Sequence, residues 1–205
     1  MLRRSYGSMR GLAAAVLMLL PAAPMAAQSA APKAGTISAS IGVGGGSASL
    51  SCASCKSSRE SNVTGSASLG IGVSSQFVIA GELSGWMKDY NSVNGTGTLR
   101  LIFANVVGKL YPQSGSGLFV KAGGGGSFIN EEIRRTAVPT TTVKSSGLGL
   151  VAGAGWDLPL SGRVVLTPYV EYNRAAAGNA TANGIRTSEQ LGANLFHGGI
   201  SIGVR

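Results

Sequence analysis

The sequence predicts an all-β protein, an eight-stranded antiparallel up-and-down transmembrane β-barrel, from three observations. The first is Ser146–Asn173, which reads as two strands joined by the short link Pro159–Gly162. Leu148, Leu150, Ala152, Ala154, Trp156 and Leu158 share one parity; Gly147, Gly149, Val151, Gly153, Gly155 and Asp157 share the other. Val164, Leu166, Pro168, Val170 and Tyr172 alternate likewise with Arg163, Val165, Thr167, Tyr169, Glu171 and Asn173. Successive side chains of a strand point to opposite faces, so period two over this length is a strand signal. The runs exceed the roughly 5–6 residues usual in globular proteins. They match the roughly 9–11 residues with which a tilted strand crosses a bilayer. The second observation is composition. Gly occurs 32 times across the chain, and charged residues are only 12% of it, which argues against a helical protein. The third is that seven connections join eight such segments and alternate between longer and shorter. A membrane barrel sorts its connections this way, with short turns on the periplasmic side and longer loops outside the cell.

The elements follow in order. Met1–Ala27 has the form of a secretory signal peptide, with Arg3, Arg4 and Arg10 ahead of the apolar run Gly11–Leu20 and Pro21 and Pro24 behind it. That run is shorter than the roughly 20 residues of a membrane-spanning helix. Residues 28–35 form a short lead-in, and the barrel occupies 36–205. Its strands are expected at Thr36–Val43, Gly65–Ser74, Phe77–Tyr90, Thr98–Tyr111, Leu118–Asn130, the two strands of Ser146–Asn173, and Gln190–Arg205. Gly44–Thr64, Asn91–Gly97, Glu131–Ser145 and Arg174–Glu189 are expected as polar outer loops. Ser74–Gln76, Pro112–Gly117 and Pro159–Gly162 are expected as periplasmic turns.

Each strand has one apolar face and one small or polar face. In a membrane barrel the apolar parity meets lipid. On that rule Leu99, Leu101 and Phe103 point outward, and Glu82, Arg100, Lys121 and Glu171 all point into the lumen. Two acids and two bases would pair there. On the lipid face an Arg or Lys near the midplane would cost roughly 2–4 kcal/mol. An eight-stranded barrel has an interior only wide enough for side chains, so these four are expected to plug it. Phe77, Tyr111 and Trp156 at one set of strand ends, and Phe128 and Tyr172 at the other, are expected to form aromatic girdles at the two interfaces.

With these strands, the Gly-rich run GLGLVAGAGWDLPL and the terminal GGISIGVR, the chain resembles the small eight-stranded outer-membrane barrels of the OmpA/OmpX type over about Thr36 to Arg205. The resemblance implies residence in the bacterial outer membrane, assembly by the barrel-assembly machinery, and inward ion pairs that fill the lumen. It differs at one point: such barrels usually end in an aromatic residue, and this sequence ends in Arg205.

Chemistry-bearing motifs are few. Cys52 and Cys55 are the only cysteines, and in an exported protein their spacing reads as a local disulfide stiffening a loop. A redox CxxC needs a βαβ setting, and a zinc site needs further ligands, so neither a metal nor a cofactor is expected. His197 is the only histidine. Ser201 shares its parity but lies roughly 13 Å along the strand, beyond hydrogen-bond reach. No catalytic residue is therefore assigned. The net charge is +9, but the bases are dispersed without an aromatic platform, which excludes a nucleic-acid stripe. Exposed bases, Lys144 and Arg174 among them, are instead expected to meet anionic head groups of outer-membrane lipid. The expected protein is a monomeric barrel with a structural or surface-interaction role. Two alternatives are a lipid-modifying barrel enzyme and a secreted lipocalin-like barrel that binds an apolar ligand inside.

Overall fold

The computed structural model describes residues 33–52, 59–92, 95–113, 115–135 and 138–205. The expected signal peptide and most of the lead-in lie outside the described residues. Among those described, the elements are β1 (Ile37–Ser51), β2 (Arg59–Gly72), β3 (Phe77–Ser92), β4 (Gly95–Leu110), β5 (Leu118–Arg135), β6 (Val138–Trp156), β7 (Leu158–Ser161), β8 (Val164–Ala182) and β9 (Ile185–Val204). Every pairing is antiparallel. Neighbours pair in sequence from β1 to β6, β1 also pairs with β9 and β9 with β8, and β8 pairs with β6 to close the ring. β6 and β7 flank Asp157 and both pair with β8, so they are one stave interrupted once. The ring therefore has eight staves, and closure removes the unpaired edges that would otherwise template aggregation.

Both described chain ends and the turns after β2, β4 and β7 lie at one end of the barrel, called here the terminal end. The opposite, distal end departs from the sequence reading. Most of what was expected as long polar loops is strand. β1 continues through Gly44–Ser51, β5 and β6 pair up to Arg135↔Val138, and β8 and β9 pair up to Ala182↔Ile185. The last hairpin turns on two residues, Asn183 (φ 49°) and Gly184 (φ +83°), a left-handed pair that fits the twist of antiparallel strands.

The physical reason is a change of solvent along each strand. From Leu118 to Phe128 the outward residues of β5 are apolar or Gly, a rise of about 25 Å at a tilt near 40°. That height matches the hydrocarbon layer. Beyond it the outward residues turn polar: Asn130, Glu132 and Arg134 on β5, and Thr142 and Lys144 on β6. The inward residues become apolar at the same level. On β9, Phe196, Ile200 and Ile202 face out, whereas Leu191, Ala193 and Leu195 are buried inside. The alternation never stops; its apolar side moves from the outer face to the inner.

This inversion corrects β4. Leu101 and Phe103 are 0% and 1% exposed inside the barrel, and Ile102 between them is 47% exposed. Leu99 packs against the same interior core. Arg100 is accordingly exposed on the outer wall and is not a lumen residue. The sequence rule took the more apolar parity as outward, but on β4 both parities are apolar.

Candidate functional site in the barrel lumen

The lumen is filled in three layers. At the terminal end Asp157, where β6 breaks into β7, accepts hydrogen bonds from Tyr111 Oη at 2.7 Å and Thr167 Oγ1 at 2.5 Å. The Arg205 guanidinium closes on the same carboxylate and donates to Tyr111 Oη at 3.1 Å. Tyr111 packs on Phe119 with ring centroids 5.5 Å apart. Tyr111 is thus an inward residue, 2% exposed, and does not belong to an aromatic girdle. A residue after a strand's last apolar position reads as interfacial in sequence; only the ring closure shows that Asp157 lies beneath it.

The middle layer is ionic. Lys121 on β5 donates from Nζ to Glu82 Oε2 on β3 and to Glu171 Oε1 on β8, each at 2.5 Å. All three side chains are nearly devoid of solvent contact. His197 on β9 lies with Nε2 3.2 Å from Glu171 Oε2 and 3.0 Å from Asn173 Nδ2. Asn105 Nδ2 reaches Asn173 Oδ1 at 3.5 Å. Three of the four residues expected in the lumen thus meet around one ammonium, and Arg100 is absent. His197 and Asn173 were not foreseen as members. The signal was available in the parity of Glu171 and Asn173 on one strand, but pairing of β8 with β9, Glu171↔His197, could not be read from one strand alone.

Glycine makes the room for these side chains. A Cβ on Gly153 would stand 3.0 Å from Glu171 Cγ, and one on Gly155 would stand 2.5 Å from Phe119 Cζ. The inward glycines of β6 are thus the complement of large inward residues on neighbouring strands.

The distal layer is apolar. Ala48, Trp86, Leu101, Phe103, Ile129 and Leu195 form its centre. Trp86 donates Nε1–H to the Gly46 carbonyl at 3.4 Å, which satisfies the indole inside the tube. Cys52 packs against this core and is disulfide-bonded. Cys55, its expected partner, lies outside the described residues. Farther out, Tyr90 Oη donates to Glu131 Oε1 at 2.5 Å. Burial, followed by that carboxylate, holds the Tyr90 phenol well above its usual range, so it remains a donor.

The remaining girdle residues lie on the outer wall. Trp156 and Phe77 are at the terminal end, Trp156 donating from Nε1 to the Ser116 carbonyl at 2.7 Å and Phe77 laid over Gly108. Phe128 and Tyr172 are exposed at the upper limit of the apolar belt, with Tyr172 Oη donating to Asn194 Oδ1 at 2.7 Å. Phe196, paired with Tyr172, joins them. A ring whose staves expose Ile41, Leu69, Leu83, Val106, Val120, Leu150 and Ile202, with its buried Glu82–Lys121–Glu171 cluster inside, has the inside-out polarity of a barrel dissolved in lipid. A lipocalin-like barrel would need the opposite.

Fold and belt together define a small eight-stranded transmembrane β-barrel. The chain is similar to Ail, the attachment invasion locus protein of Yersinia pestis, with a TM-score of 0.56 and 10% identity over 82% of this chain and 99% of that one. It is also similar to Neisserial surface protein A, with a TM-score of 0.52 and 14% identity over 80% of this chain and 95% of that one. OprG of Pseudomonas aeruginosa matches with a TM-score of 0.51 and 13% identity over 86% and 99% of the two chains. At these identities the likeness is one of fold. No family model matches the sequence, and no curated protein matches it.

Proposed function

We propose that this barrel is a closed, non-catalytic outer-membrane anchor whose distal extension serves as a surface for interaction. The observation that carries the reading is the filling of the lumen. An apolar core, a buried Glu–Lys–Glu–His cluster and the Tyr111–Asp157–Arg205 network succeed one another along the axis. A conducting path would have to break all three. A hydrated pore also needs polar walls, and the distal layer offers Phe103, Leu101 and Leu195 instead. The enclosure of His197, whose side chain has no solvent contact, supports the non-catalytic part.

In this reading the distal end faces out of the cell, because the chain ends lie at the terminal end while the distal hairpins run on far beyond the apolar belt. Above the belt, β9 continues from Phe196 to Ile185, about 36 Å of strand. The core of Trp86, Phe103 and Leu195 makes that extension a stiff tube, not a set of separate loops. It would carry its tips clear of the lipid surface, where partners bind. Outer-membrane lipid surrounds the belt, and assembly falls to the barrel-assembly machinery.

Planar-bilayer recording tests the closed lumen. The refolded full barrel is expected to give no resolved conductance steps at 100 mV in molar salt. Steady, reproducible steps from a sample that shows the heat-dependent gel shift of a folded barrel would overturn the proposal.

A further inference from the structure

A polar chamber of about 60 Å³ lies in the lumen between the Tyr111–Asp157–Arg205 network and the ionic layer. Ser38 and Ser40 of β1 and Ser66 and Ser68 of β2 line it, and each keeps part of its surface although it points inward. Beyond the ionic layer, by contrast, the inward Ser84 and Ser127 are fully buried. Two charged groups of the chamber wall have incomplete shells. Lys109 Nζ lies over the Phe119 ring, 5.2 Å from its centroid, and has no hydrogen bond or ion pair among the described residues. Glu82 gives Oε2 to Lys121, while its Oε1 is enclosed without a hydrogen-bond partner. A bare anion in the chamber would be repelled by Glu82, and a bare cation by Lys109. A small neutral molecule that both donates and accepts serves both groups, and the volume suits a few waters.

The two ends of the chamber are closed differently. Toward the distal side stand Lys121 and its two carboxylates, and behind them the apolar core. Toward the terminal side the doorway is Tyr111, Asp157 and Arg205. Two of these are fixed in the wall. The Tyr111 backbone N–H donates to the Gln76 carbonyl at 2.8 Å, and that of Asp157 to the Gly117 carbonyl at 2.9 Å. The Asp157 carboxylate is also held by Tyr111 Oη and Thr167 Oγ1. Arg205 differs. Its backbone is tied to the Arg163 carbonyl at 3.0 Å, but its side chain is 18% exposed against 7% for that of Asp157. An arginine side chain has many rotamers to regain on release. Rotation of this one side chain therefore opens the doorway, and Asp157 keeps its bonds from Tyr111 and Thr167.

We infer that Arg205 is a lid: water fills the chamber and bridges Lys109 to Glu82, and the Arg205 guanidinium, swinging on and off Asp157, controls its exchange with solvent at the terminal end. The inference is independent of what the distal extension binds. Opening the lid brings solvent as far as the ionic layer and no farther, because the apolar layer beyond it is unbroken.

Cyanate, a small linear reagent that carbamylates lysine amines from water, is the probe. The full refolded barrel in detergent micelles is treated with potassium cyanate, and peptide mass spectrometry gives the rate at each lysine. Lys144, exposed on the outer wall, is the internal reference. In the native barrel Lys109 is expected to react far more slowly than Lys144, and Lys121 not at all. R205A is expected to speed Lys109 by on the order of tenfold, the population shift that follows loss of a hydrogen bond to a charged group. Lys121 stays protected. D157N, which removes the ion pair from its other side, is expected to act as R205A does. R163Q, which changes an exposed base at the same end, is expected to leave Lys109 slow. The heat-dependent gel shift confirms that each variant is folded. Lys109 as slow in R205A and D157N as in the native barrel overturns the inference, and so does a native Lys109 as reactive as Lys144. Reaction of Lys121 alongside Lys109 would overturn it too, because the ionic layer itself would then have opened.

Discussion

Replacing Lys121 with Met is expected to lower the unfolding free energy of the barrel by about 3–5 kcal/mol, the cost of removing one partner from a buried ion pair. The ammonium is the only cation in direct contact with Glu82 Oε2 and Glu171 Oε1 among the described residues, at 2.5 Å from each. Without it two carboxylate oxygens, each 2.5 Å from the ammonium and so at most about 5 Å apart, face each other. At an effective dielectric near 20 they repel by about 3 kcal/mol. Methionine fills much of the volume, so the loss reports charge and not cavity. Replacing all three as E82Q/K121M/E171Q is expected to recover most of the loss, because a neutral layer leaves no uncompensated charge. Urea unfolding of the refolded barrel in lipid vesicles measures this. An unchanged midpoint for K121M would mean that the cluster contributes nothing to closure.

The Lys121 cluster was legible in the sequence to the extent that strand parity was legible. On β3, β5 and β8 the outward parity of the bilayer segment is apolar or Gly and carries no charge, so the charges on the other parity, Glu82, Lys121 and Glu171, fall inside. Strand number followed from the same contrast. What was not legible was the level at which the outer solvent changes from hydrocarbon to water. Above it the apolar side turns inward, and Ser-, Thr- and Asn-rich outward faces read as loops although the backbone remains paired. The segments Gly44–Ser51 and Arg174–Ala182 were lost to the sequence reading for that reason. Tyr111 was misplaced for a different one. Its position depends on Asp157, 46 residues away, and on Arg205 folding back over the same mouth. Contacts of that separation arise from ring closure, which a local pattern does not encode.

The inversion of parity on β4 makes the second large effect a matched pair. Phe103→Ala is expected to cost about 3–5 kcal/mol, the usual penalty for emptying a large buried aromatic site. Phe103 is 1% exposed among Trp86, Leu101, Ile129 and Leu195, and no solvent chain can enter to fill the void. Ile102→Ala, one residue away and 47% exposed, removes a side chain that lipid already touches. Lipid chains are fluid and close over the gap, so the cavity part of the penalty is absent and the cost falls well below that of F103A. The two variants thus ask which parity faces the core. If parity followed hydrophobicity alone, with Leu99, Leu101 and Phe103 on lipid, the order would reverse and Ile102 would be the costly site. Unfolding midpoints of the two variants under one set of vesicle conditions decide between the arrangements. An I102A loss equal to or larger than that of F103A would put Arg100 back in the lumen.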